Sequence, residues 1–252
     1  MSDNKTTVLT AVKELFGDKD VTAVDRWVAT DYRQHSSAAP DGPEGLRGLI
    51  GSLTSDVRHE VARVIAEGDL VAVHGVYYGF SPDPLVALDL FRVADGRLAE
   101  HWDALTPQIT KTVSGRSQVD GPAEVSDLDK TEANRALVLE FVEKVLKGGD
   151  FSVLTDFIST EQYDQHHPEI ADGLDGLGAA FAAWAEQGKN IAYGTTHQVI
   201  AEGNFVLVVS EGVFDVPVAY WDLFRVADGR IVEHWDIVVP IPDTLPHDNG
   251  LF

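Results

Sequence analysis

One fifteen-residue stretch occurs twice in the chain and constrains everything else. Residues 89–103 read DLFRVADGRLAEHWD and residues 222–236 read DLFRVADGRIVEHWD, so thirteen of fifteen positions are identical. In each copy an apolar run ends at Asp-Gly and a second run follows, a pattern typical of a β-hairpin. A match of this length indicates a duplicated unit. We therefore expect two domains that share one fold.

The elements predicted around the hairpin recur in the same order. Each half contains two helices, a Tyr-x-Gln-His segment, a third helix and four strands, which predicts an α+β fold with a bent antiparallel sheet wrapped over helices. The predicted helices cover residues 5–16, 20–30, 43–54, 131–147, 151–158 and a stretch ending near 187. The predicted strands cover 58–67, 69–80, 85–93, 97–106, 193–202, 204–214, 217–227 and 230–240. We place the first domain at 1–108, a linker at 109–130, and the second domain with a C-terminal tail at 131–252.

The composition narrows the range of partners. The 252 residues include 41 acidic and 19 basic ones, a formal net charge of −22, and no cysteine. Such a surface repels phosphate backbones and anionic lipid, so we expect neither nucleic acid nor a membrane as a partner. The lack of cysteine excludes disulfides, a thiol nucleophile and a thiolate metal site. The N-terminus has no signal-peptide pattern and no apolar run reaches the ~18 residues of a membrane span, so we expect a cytoplasmic protein.

Strand alternation predicts which side chains of the hairpin share a face. His101 and Asp103 lie on one face, and Glu100 and Trp102 on the other, because successive side chains of a strand point in opposite directions. The position of Asp89 depends on the turn. A two-residue turn would place Asp89 beside Trp102.

We predict a three-residue turn instead. A turn over Ala94, Asp95 and Gly96, with a left-handed glycine, pairs Asp89 with His101. It gathers Asp89, Phe91, His101 and Asp103 on one face, as expected for a pocket wall. The other face then carries a cross-strand pair of Arg92 and Glu100 among apolar side chains.

The element order and four short motifs resemble a known superfamily. The Tyr-x-Gln-His segments, the Ile65–Asp69 turn and the closing Glu-His-Trp-Asp are similar to those of nuclear transport factor 2-like proteins, and in particular of the SnoaL-like polyketide-cyclase branch. The resemblance covers nearly all of both halves. It implies cone-shaped domains whose concave face closes over a ligand. It also implies an intrachain pseudo-dimer that buries convex faces through Leu88, Leu90, Trp102, Trp221, Leu223 and Trp235, and that is able to assemble further into a homo-oligomer.

The same resemblance assigns roles to particular residues. In SnoaL-like cyclases a pocket aspartate near the end of the last long strand acts as general acid/base without metal or cofactor, and Asp103 and Asp236 match it. His35 and His166 match a polar residue opposite that aspartate, which would orient or polarise a substrate oxygen. Where this chain has Asp89 and Asp222, the cyclases carry a different polar residue. The predicted catalytic set is Asp103, His101, Asp89, His35, Asp236, His234, Asp222 and His166.

The residues themselves point to the same chemistry. A carboxylate beside an imidazole in an apolar cone suits proton transfer at carbon next to a carbonyl, because burial raises the carboxylate's proton affinity towards neutral pH. We therefore predict a cyclase, isomerase or lyase that acts without a cofactor on a small hydrophobic substrate containing a carbonyl. The residues expected to line the substrate pockets are Tyr32, His59, His74, Phe91, Tyr163, His197 and Phe224.

Two other interpretations use the same residues. His35, His59 and His101 could present three nitrogens to a divalent metal, although their spacing matches no compact metal motif. Alternatively, the two halves form a module that binds a small molecule or acts as a scaffold without catalysis. Metal analysis and identification of a trapped ligand would separate these interpretations from the first.

The two pockets are predicted to differ. His74 in the first half aligns with Val209 in the second, and the link that follows it is longer and rich in proline. Alternation places His74 on the same face as Ala72 and Val76, and we expect that face to look into the cone. The first half would then have the larger polar set and be the active one.

Overall fold

In each half of the chain, helices pack on one face of a five-stranded sheet. The structure is a computed structural model that describes residues 3–252. The first half contains α1 (Asp3–Val12, continued by a π-helical stretch Lys13–Gly17), α2 (Ala23–Trp27), β1 (Val28–Gln34), α3 (Gly42–Ser52), β2 (Arg58–Glu67), β3 (Leu70–Tyr78), β4 (Leu85–Ala94) and β5 (Arg97–Pro107). The first half thus has the predicted α+β fold.

The second half repeats this order. It contains α4 (Thr131–Phe141, continued by a π-helical stretch Val142–Lys147), α5 (Leu154–Phe157), β6 (Asp164–Gln165), α6 (Gly173–Glu186), β7 (Ile191–Glu202), β8 (Phe205–Phe214), β9 (Val216–Ala227) and β10 (Arg230–Pro240). Short 3₁₀ turns at Leu128–Lys130 and Phe151–Val153 precede α4 and α5. No helix in the described part of the chain is both long and apolar enough to cross a membrane.

The sheets share one topology. The strand orders are β1-β5-β4-β3-β2 and β6-β10-β9-β8-β7, with the first strand of each parallel to its neighbour and the other pairs antiparallel. The predicted helix over 20–30 ends at Trp27 because Val28 begins β1, which pairs with β5. This parallel pairing places Gln34 opposite His101 and Gln165 opposite His234.

Each sheet has a helix-covered inner face and an outer face. Val71, Val73 and Phe91 pack with Leu15 and Ile50 of the helices in one core, so they define the inner face of the first sheet. Val206, Val208 and Phe224 do the same with α4 and α6 in the second. In the antiparallel register, Asp89 and Asp222 share the inner face with Phe91 and Phe224.

The hairpin turn differs from the predicted one. Asp95 and Gly96 both have positive φ, 50° and 73°, and Ala94 pairs with Arg97, so the turn has two residues. The register shift lies further along β5, where Arg92 pairs with Glu100 and Val93 with Leu98. Asp89 therefore faces Asp103, and the predicted pairing of Asp89 with His101 is wrong. The predicted faces are correct, because the two registers differ by two residues and keep the alternation.

The two compact units do not coincide with the two halves of the sequence. Unit 1 comprises the residues up to Gln108 together with Ile241–Phe252, and unit 2 comprises Ile109–Pro240. The segment predicted to be a linker thus belongs to unit 2, and the C-terminal tail belongs to unit 1. We call residues 109–121 the strap of unit 2 and Ile241–Phe252 the strap of unit 1.

Candidate active site

An aspartate, a histidine and a second aspartate meet on the inner face of each sheet. In unit 1, Asp89 of β4 lies opposite Asp103 of β5, with His101 beside them. Each of the three side chains has an oxygen or nitrogen atom that lies within 4.8 Å of such an atom of the other two. Asp222, His234 and Asp236 form the same group in unit 2. We call these groups triad 1 and triad 2. The hairpin repeat predicts both, and the structure brings the six residues together as two sets.

A glutamine at the end of β1 orients the histidine of triad 1. Gln34 Oε1 accepts backbone N–H bonds from His35 (3.0 Å) and Ser36 (2.9 Å), which identifies this atom as the carbonyl oxygen. His101 Nδ1 lies 3.0 Å from the same oxygen and therefore donates its proton to it. His101 Nε2 is left facing Asp89 Oδ1 at 3.0 Å. One shared proton joins the imidazole and the carboxylate at this contact.

Triad 2 has the same hydrogen-bond pattern. Gln165 Oε1 accepts the backbone N–H groups of His166 and His167, both at 3.0 Å, and the Nδ1–H of His234 at 3.1 Å. His234 Nε2 then faces Asp222 Oδ1 at 3.1 Å. The repetition of every contact around the glutamine indicates that the imidazole orientation is a constant feature of the two sites.

Each triad also receives a tyrosine hydroxyl, but from different strands. Tyr77 of β3 donates to Asp89 Oδ2 at 3.1 Å, whereas Tyr193 of β7 donates to Asp222 Oδ1 at 3.3 Å. His59 stacks on Tyr77 with ring centroids 4.0 Å apart, and Tyr193 stacks on Tyr220 at the same distance. A hydroxyl thus reaches the equivalent carboxylate through two different strands.

Burial sets the proton affinities of the triads. Burial raises the pKa of Asp103 to about 6, with the charge of His101 opposing and that of Asp89 adding to the shift. Burial also raises the pKa of Asp222, against its bond with His234. For His101 and His234 burial lowers the pKa, but the bonds to Asp89 and Asp222 and the nearby charges of Asp103 and Asp236 outweigh it, so the net shift is upward. Each triad therefore holds a carboxyl of raised pKa and an imidazole of raised pKa.

Triad 2 lies in the wall of an open, largely apolar cavity. The cavity encloses about 610 Å³ of empty space, counted out to its mouth. Aromatic and aliphatic side chains from α4, α6 and the sheet form most of the wall, with Asp222, His234 and Asp236 as part of it. The predicted pocket residues Tyr163 and Phe224 also line it, and Phe224 stacks on His234 with ring centroids 4.8 Å apart.

Three predicted pocket residues surround triad 1. Phe91 stacks on His101 with ring centroids 4.5 Å apart. Tyr32 is buried, accepts a bond from Gln34 Nε2 at 3.1 Å, and has a pKa raised first by burial and then by the charges of Asp103 and Asp89. His59 lies near Asp89, and burial lowers its pKa against the Asp89 charge.

The two histidines of the Tyr-x-Gln-His segments lie on the outer faces. His35 stacks on Trp102 with centroids 4.8 Å apart, and its Nε2 lies 2.9 Å from Glu100 Oε1. His166 stacks on Trp235 at 4.6 Å and bonds to Glu233 Oε1 at 2.9 Å. The structure therefore separates His35 and His166 from the triads with which they were grouped. The reason is alternation, because Glu100 and Trp102 point away from His101 and Asp103.

Two other predicted pocket histidines lie elsewhere. His74 shares a face with Ala72, as predicted, but that face is the outer one, and His74 Nδ1 accepts a bond from Arg63 Nη1 at 2.5 Å. His197 is an exposed residue at a register shift of β7, and its Nε2 lies 3.4 Å from Glu211 Oε2. The residue of unit 2 at the position equivalent to His59 is Tyr193, because β7 has two register shifts where β2 has one.

The histidine set proposed for a metal does not assemble. His35 lies on the outer face, and His101 and His59 on the inner one, so the three nitrogens do not converge. Among the described residues, the groups whose donor atoms converge as metal ligands would are triads 1 and 2.

The straps bind the segments that follow β1 and β6. In unit 1, Gly250 O lies 2.9 Å from His35 Nδ1, His247 Nε2 lies 3.0 Å from Ser36 O, and Asn249 Nδ2 donates to Gln34 O at 3.0 Å. In unit 2, Ser117 O lies 2.6 Å from His166 Nδ1. The straps thus bind the short segments that contain Gln34 and Gln165, the residues that orient the triad histidines.

Several residues of the site were not predicted from the sequence. Gln34 and Gln165 are part of the repeated Tyr-x-Gln-His motif, and that repetition was the available signal. Tyr77 and Tyr193 gave no signal, because they lie on different strands in the two units. His167 lies with Nε2 3.8 Å from Asp236 Oδ2, whereas Ser36, near Asp103, follows the equivalent histidine in unit 1.

The fold and the triads define a class of protein, a tandem pair of α+β domains that each carry a polar group on the inner face of the sheet. A family model, the SnoaL-like domain, matches residues 9–101 and again residues 138–234. The chain therefore belongs to the SnoaL-like domain family and carries two copies of the domain. A comparison with curated proteins found no match.

Solved structures similar to the chain cover one domain at a time. TsrD from Streptomyces laurentii is 20% identical over 40% of this chain and 87% of its own, with a TM-score of 0.35. IdmH from Streptomyces antibioticus, described as a candidate polyketide cyclase, is 23% identical over 40% and 91%, with a TM-score of 0.34. An NTF2-like protein of unknown function from Mesorhizobium loti is 16% identical over 41% and 91%, with a TM-score of 0.37.

Proposed function

We propose that the protein is an enzyme that moves a proton at a carbon atom next to a carbonyl group of a small hydrophobic substrate, as a cyclase, isomerase or lyase would. The observation that carries the proposal is the triad on the inner face of each unit, in which an imidazole held in one orientation lies beside two carboxyls. The carboxyl whose pKa is raised is Asp103 in unit 1 and Asp222, the partner of His234, in unit 2. In unit 2 this group borders a largely apolar cavity.

Each triad contains a general base and a proton donor. Asp103 in unit 1 and Asp236 in unit 2 are the general bases, and each takes a proton from the substrate carbon. The Nε2 protons of His101 and His234 are bonded to Asp89 and Asp222 in the structure. We assign to each imidazole–carboxyl pair the transfer of this shared proton to the substrate oxygen as negative charge develops there. A carboxyl with a pKa of about 6, as at Asp103, is still ionised near neutral pH and binds a proton far better than an exposed one.

The first experiment follows deuterium exchange at the α-carbon of 1-phenylpropan-2-one in D₂O by proton NMR. We expect the protein to accelerate the exchange, and the double variant Asp103→Asn/Asp236→Asn to lower the rate by about 10² or more, the typical contribution of a general base. Asp31→Asn, an exposed carboxylate on β1, is the matched control and should leave the rate unchanged.

The single variants show which unit carries the activity. Loss in Asp103→Asn alone would place it in unit 1, and loss in Asp236→Asn alone would place it in unit 2. A double variant that is folded by circular dichroism and exchanges the probe as fast as the parent protein would refute the assignment of the bases.

A metal-dependent reaction at the triads and a non-catalytic binding role are the alternatives. Metal analysis of untagged protein tests the first, since a stoichiometric divalent ion bound by the triads would occupy the oxygens that the proposal uses as bases. The second predicts ligand binding without exchange of the probe in any variant.

A further inference from the structure

Triad 2 leaves two buried carboxylate oxygens without a hydrogen-bond donor. Asp222 Oδ2 and Asp236 Oδ1 are enclosed and have no partner among residues 3–252. Asp222 is completely buried, and the Asp236 side chain is only 7% exposed. A buried acceptor without a donor destabilises the folded protein, so such atoms indicate a place where a bound molecule supplies the donor.

The nearest donors of the protein are already committed. His234 gives its two ring positions to Gln165 Oε1 and Asp222 Oδ1, and Tyr193 donates to the same Asp222 Oδ1. His167 Nδ1 accepts the backbone N–H of Glu169, so its proton is on Nε2, and that nitrogen is 3.8 Å from Asp236 Oδ2, beyond hydrogen-bond distance. The proton shared by His234 and Asp222 balances one carboxylate. No described residue donates a hydrogen bond to Asp236 Oδ1.

The cavity around these oxygens is suited to a cation. No lysine or arginine is among the residues that line it, and its walls present aromatic rings at Phe181, Trp184, Tyr193, Phe214, Tyr220 and Phe224. Aromatic faces attract a positive charge through the negative potential above the ring. The formal net charge of −22 also raises the local concentration of cations and repels anions.

Unit 1 differs at the corresponding atoms. Asp89 binds His101 through Oδ1 and Tyr77 through Oδ2, and Ser36 lies within hydrogen-bond reach of Asp103. The side-chain nitrogens of the inner face left without a partner in the described chain are those of His59, which can donate or accept a bond once a ligand is present. Triad 1 is therefore satisfied by its own protein, and triad 2 is not.

We infer that the cavity of unit 2 binds a hydrophobic molecule bearing a protonated amine, whose N–H groups bind Asp222 Oδ2 and Asp236 Oδ1 while its apolar body lies against the aromatic walls. This inference rests on the proposed function in taking the cavity as a substrate site, and it adds a protonated amine to the carbonyl substrate of unit 2. The amine binds Asp236 through Oδ1, so the oxygen that acts as the general base in unit 2 is Oδ2. It involves no covalent step.

Binding to the full chain by isothermal titration calorimetry tests the inference with three probes of similar size. The probes are 2-phenylethylammonium, 2-phenylethanol and 3-phenylpropanoate. We expect the ammonium ion to bind one site per chain at least about tenfold more tightly than the alcohol, and the carboxylate to show no binding. An alcohol that binds as tightly as the ammonium ion, or a carboxylate that binds at all comparably, would overturn the inference.

Matched variants locate the site. Asp222→Asn and Asp236→Asn each keep the side-chain shape and should weaken ammonium binding about tenfold or more. Asp89→Asn and Asp103→Asn make the same changes in triad 1 and should leave it unaltered. Equal losses in the two units, or none in unit 2 variants that keep their circular dichroism spectrum, would also contradict the inference. Because the assay measures no turnover, its failure leaves the acid/base proposal standing, and slow deuterium exchange leaves the binding result standing.

Discussion

Asp103 illustrates, at the scale of single residues, how a buried carboxyl lowers the stability of its own domain. Its pKa rises from the ordinary 3.8 to about 6, mainly because burial disfavours the charged form. Between these two pH values the folded chain holds a proton that the unfolded chain releases. The free energy of unfolding therefore falls as pH rises through this window, and the loss is complete above about pH 6. The raised pKa values of His101 and His234 act in the same direction at higher pH.

We expect Asp103→Asn to be more stable than the parent protein at neutral pH, because asparagine has no charge to bury. The gain should be small at pH 4, grow through pH 6, and reach on the order of 1–3 kcal/mol above it. Urea unfolding at a series of pH values measures it, with Asp31→Asn as the exposed control. A difference that is constant from pH 4 to pH 8 would show that this carboxyl does not titrate in that window.

At the same scale, the aspartates and histidines of the triads were predictable and their partners were not. The identical hairpins fix Asp89, His101 and Asp103 to one face by alternation alone, which requires no knowledge of the turn. The inward side chains of β2, β3, β7 and β8 depend on register shifts that leave no mark in the sequence. His59 and His197 look equivalent in a linear alignment, yet one stacks on Tyr77 and the other pairs with Glu211.

At the scale of elements, the shift in β5 determines which residues of the hairpin meet. Without this register shift, a two-residue turn would place Leu90 opposite His101. With the extra residue between Leu98 and Glu100, Leu90 lies opposite Trp102 instead. Asp-Gly fits a three-residue turn as well as a two-residue one, so the sequence left two registers open. The helices and strands were predictable from their periodicity to within a few residues. The length of β1 was not, because its pairing with β5 is long-range.

The end of β1 also sets the protonation of the imidazole, which gives a prediction for histidine NMR. In the parent protein we expect the ¹⁵N signals of His101 to show a protonated Nδ1, since Gln34 Oε1 accepts from it. Gln34→Leu removes the acceptor and should abolish this preference, whereas Gln34→Glu keeps an oxygen there and should preserve it.

The second unit provides the control for this measurement. Gln165→Leu should alter His234 and leave His101 as it is, because each glutamine bonds the histidine of its own unit. A His101 signal that is identical in Gln34→Leu and the parent protein would mean that Asp89 alone sets the tautomer.

At the scale of the whole molecule, the two straps are exchanged between the units. Each strap follows the last strand of one unit in the sequence but belongs to the other unit. Residues 109–121 follow β5 but belong to unit 2, and Ile241–Phe252 follow β10 but belong to unit 1. The predicted burial of the outer faces around Leu90 and Leu223 against one another stays a prediction. The membership of the straps in the two units is a separate finding.

Removal of residues 241–252 should loosen one unit selectively. The deletion removes the hydrogen bonds that Gly250, Asn249 and His247 make with the segment 34–36, while the bond that Ser117 O accepts from His166 in unit 2 stays. Hydrogen–deuterium exchange read by mass spectrometry should show faster exchange in peptides covering 34–36 and unchanged exchange in those covering 165–167. Equal change in both regions, or in neither, would contradict a local role for the strap.

The exchange of straps has a consequence for anyone who divides this protein. A cut at the boundary between the two sequence repeats yields a first fragment that lacks the strap of unit 1, and a second fragment that contains this strap. Neither piece would be a faithful copy of the unit it is meant to represent, and mixing the two pieces would be needed to restore unit 1. A fragment made for crystallisation or assay should therefore follow the spatial units, with Ile241–Phe252 grafted behind Gln108 and residues 109–240 kept whole.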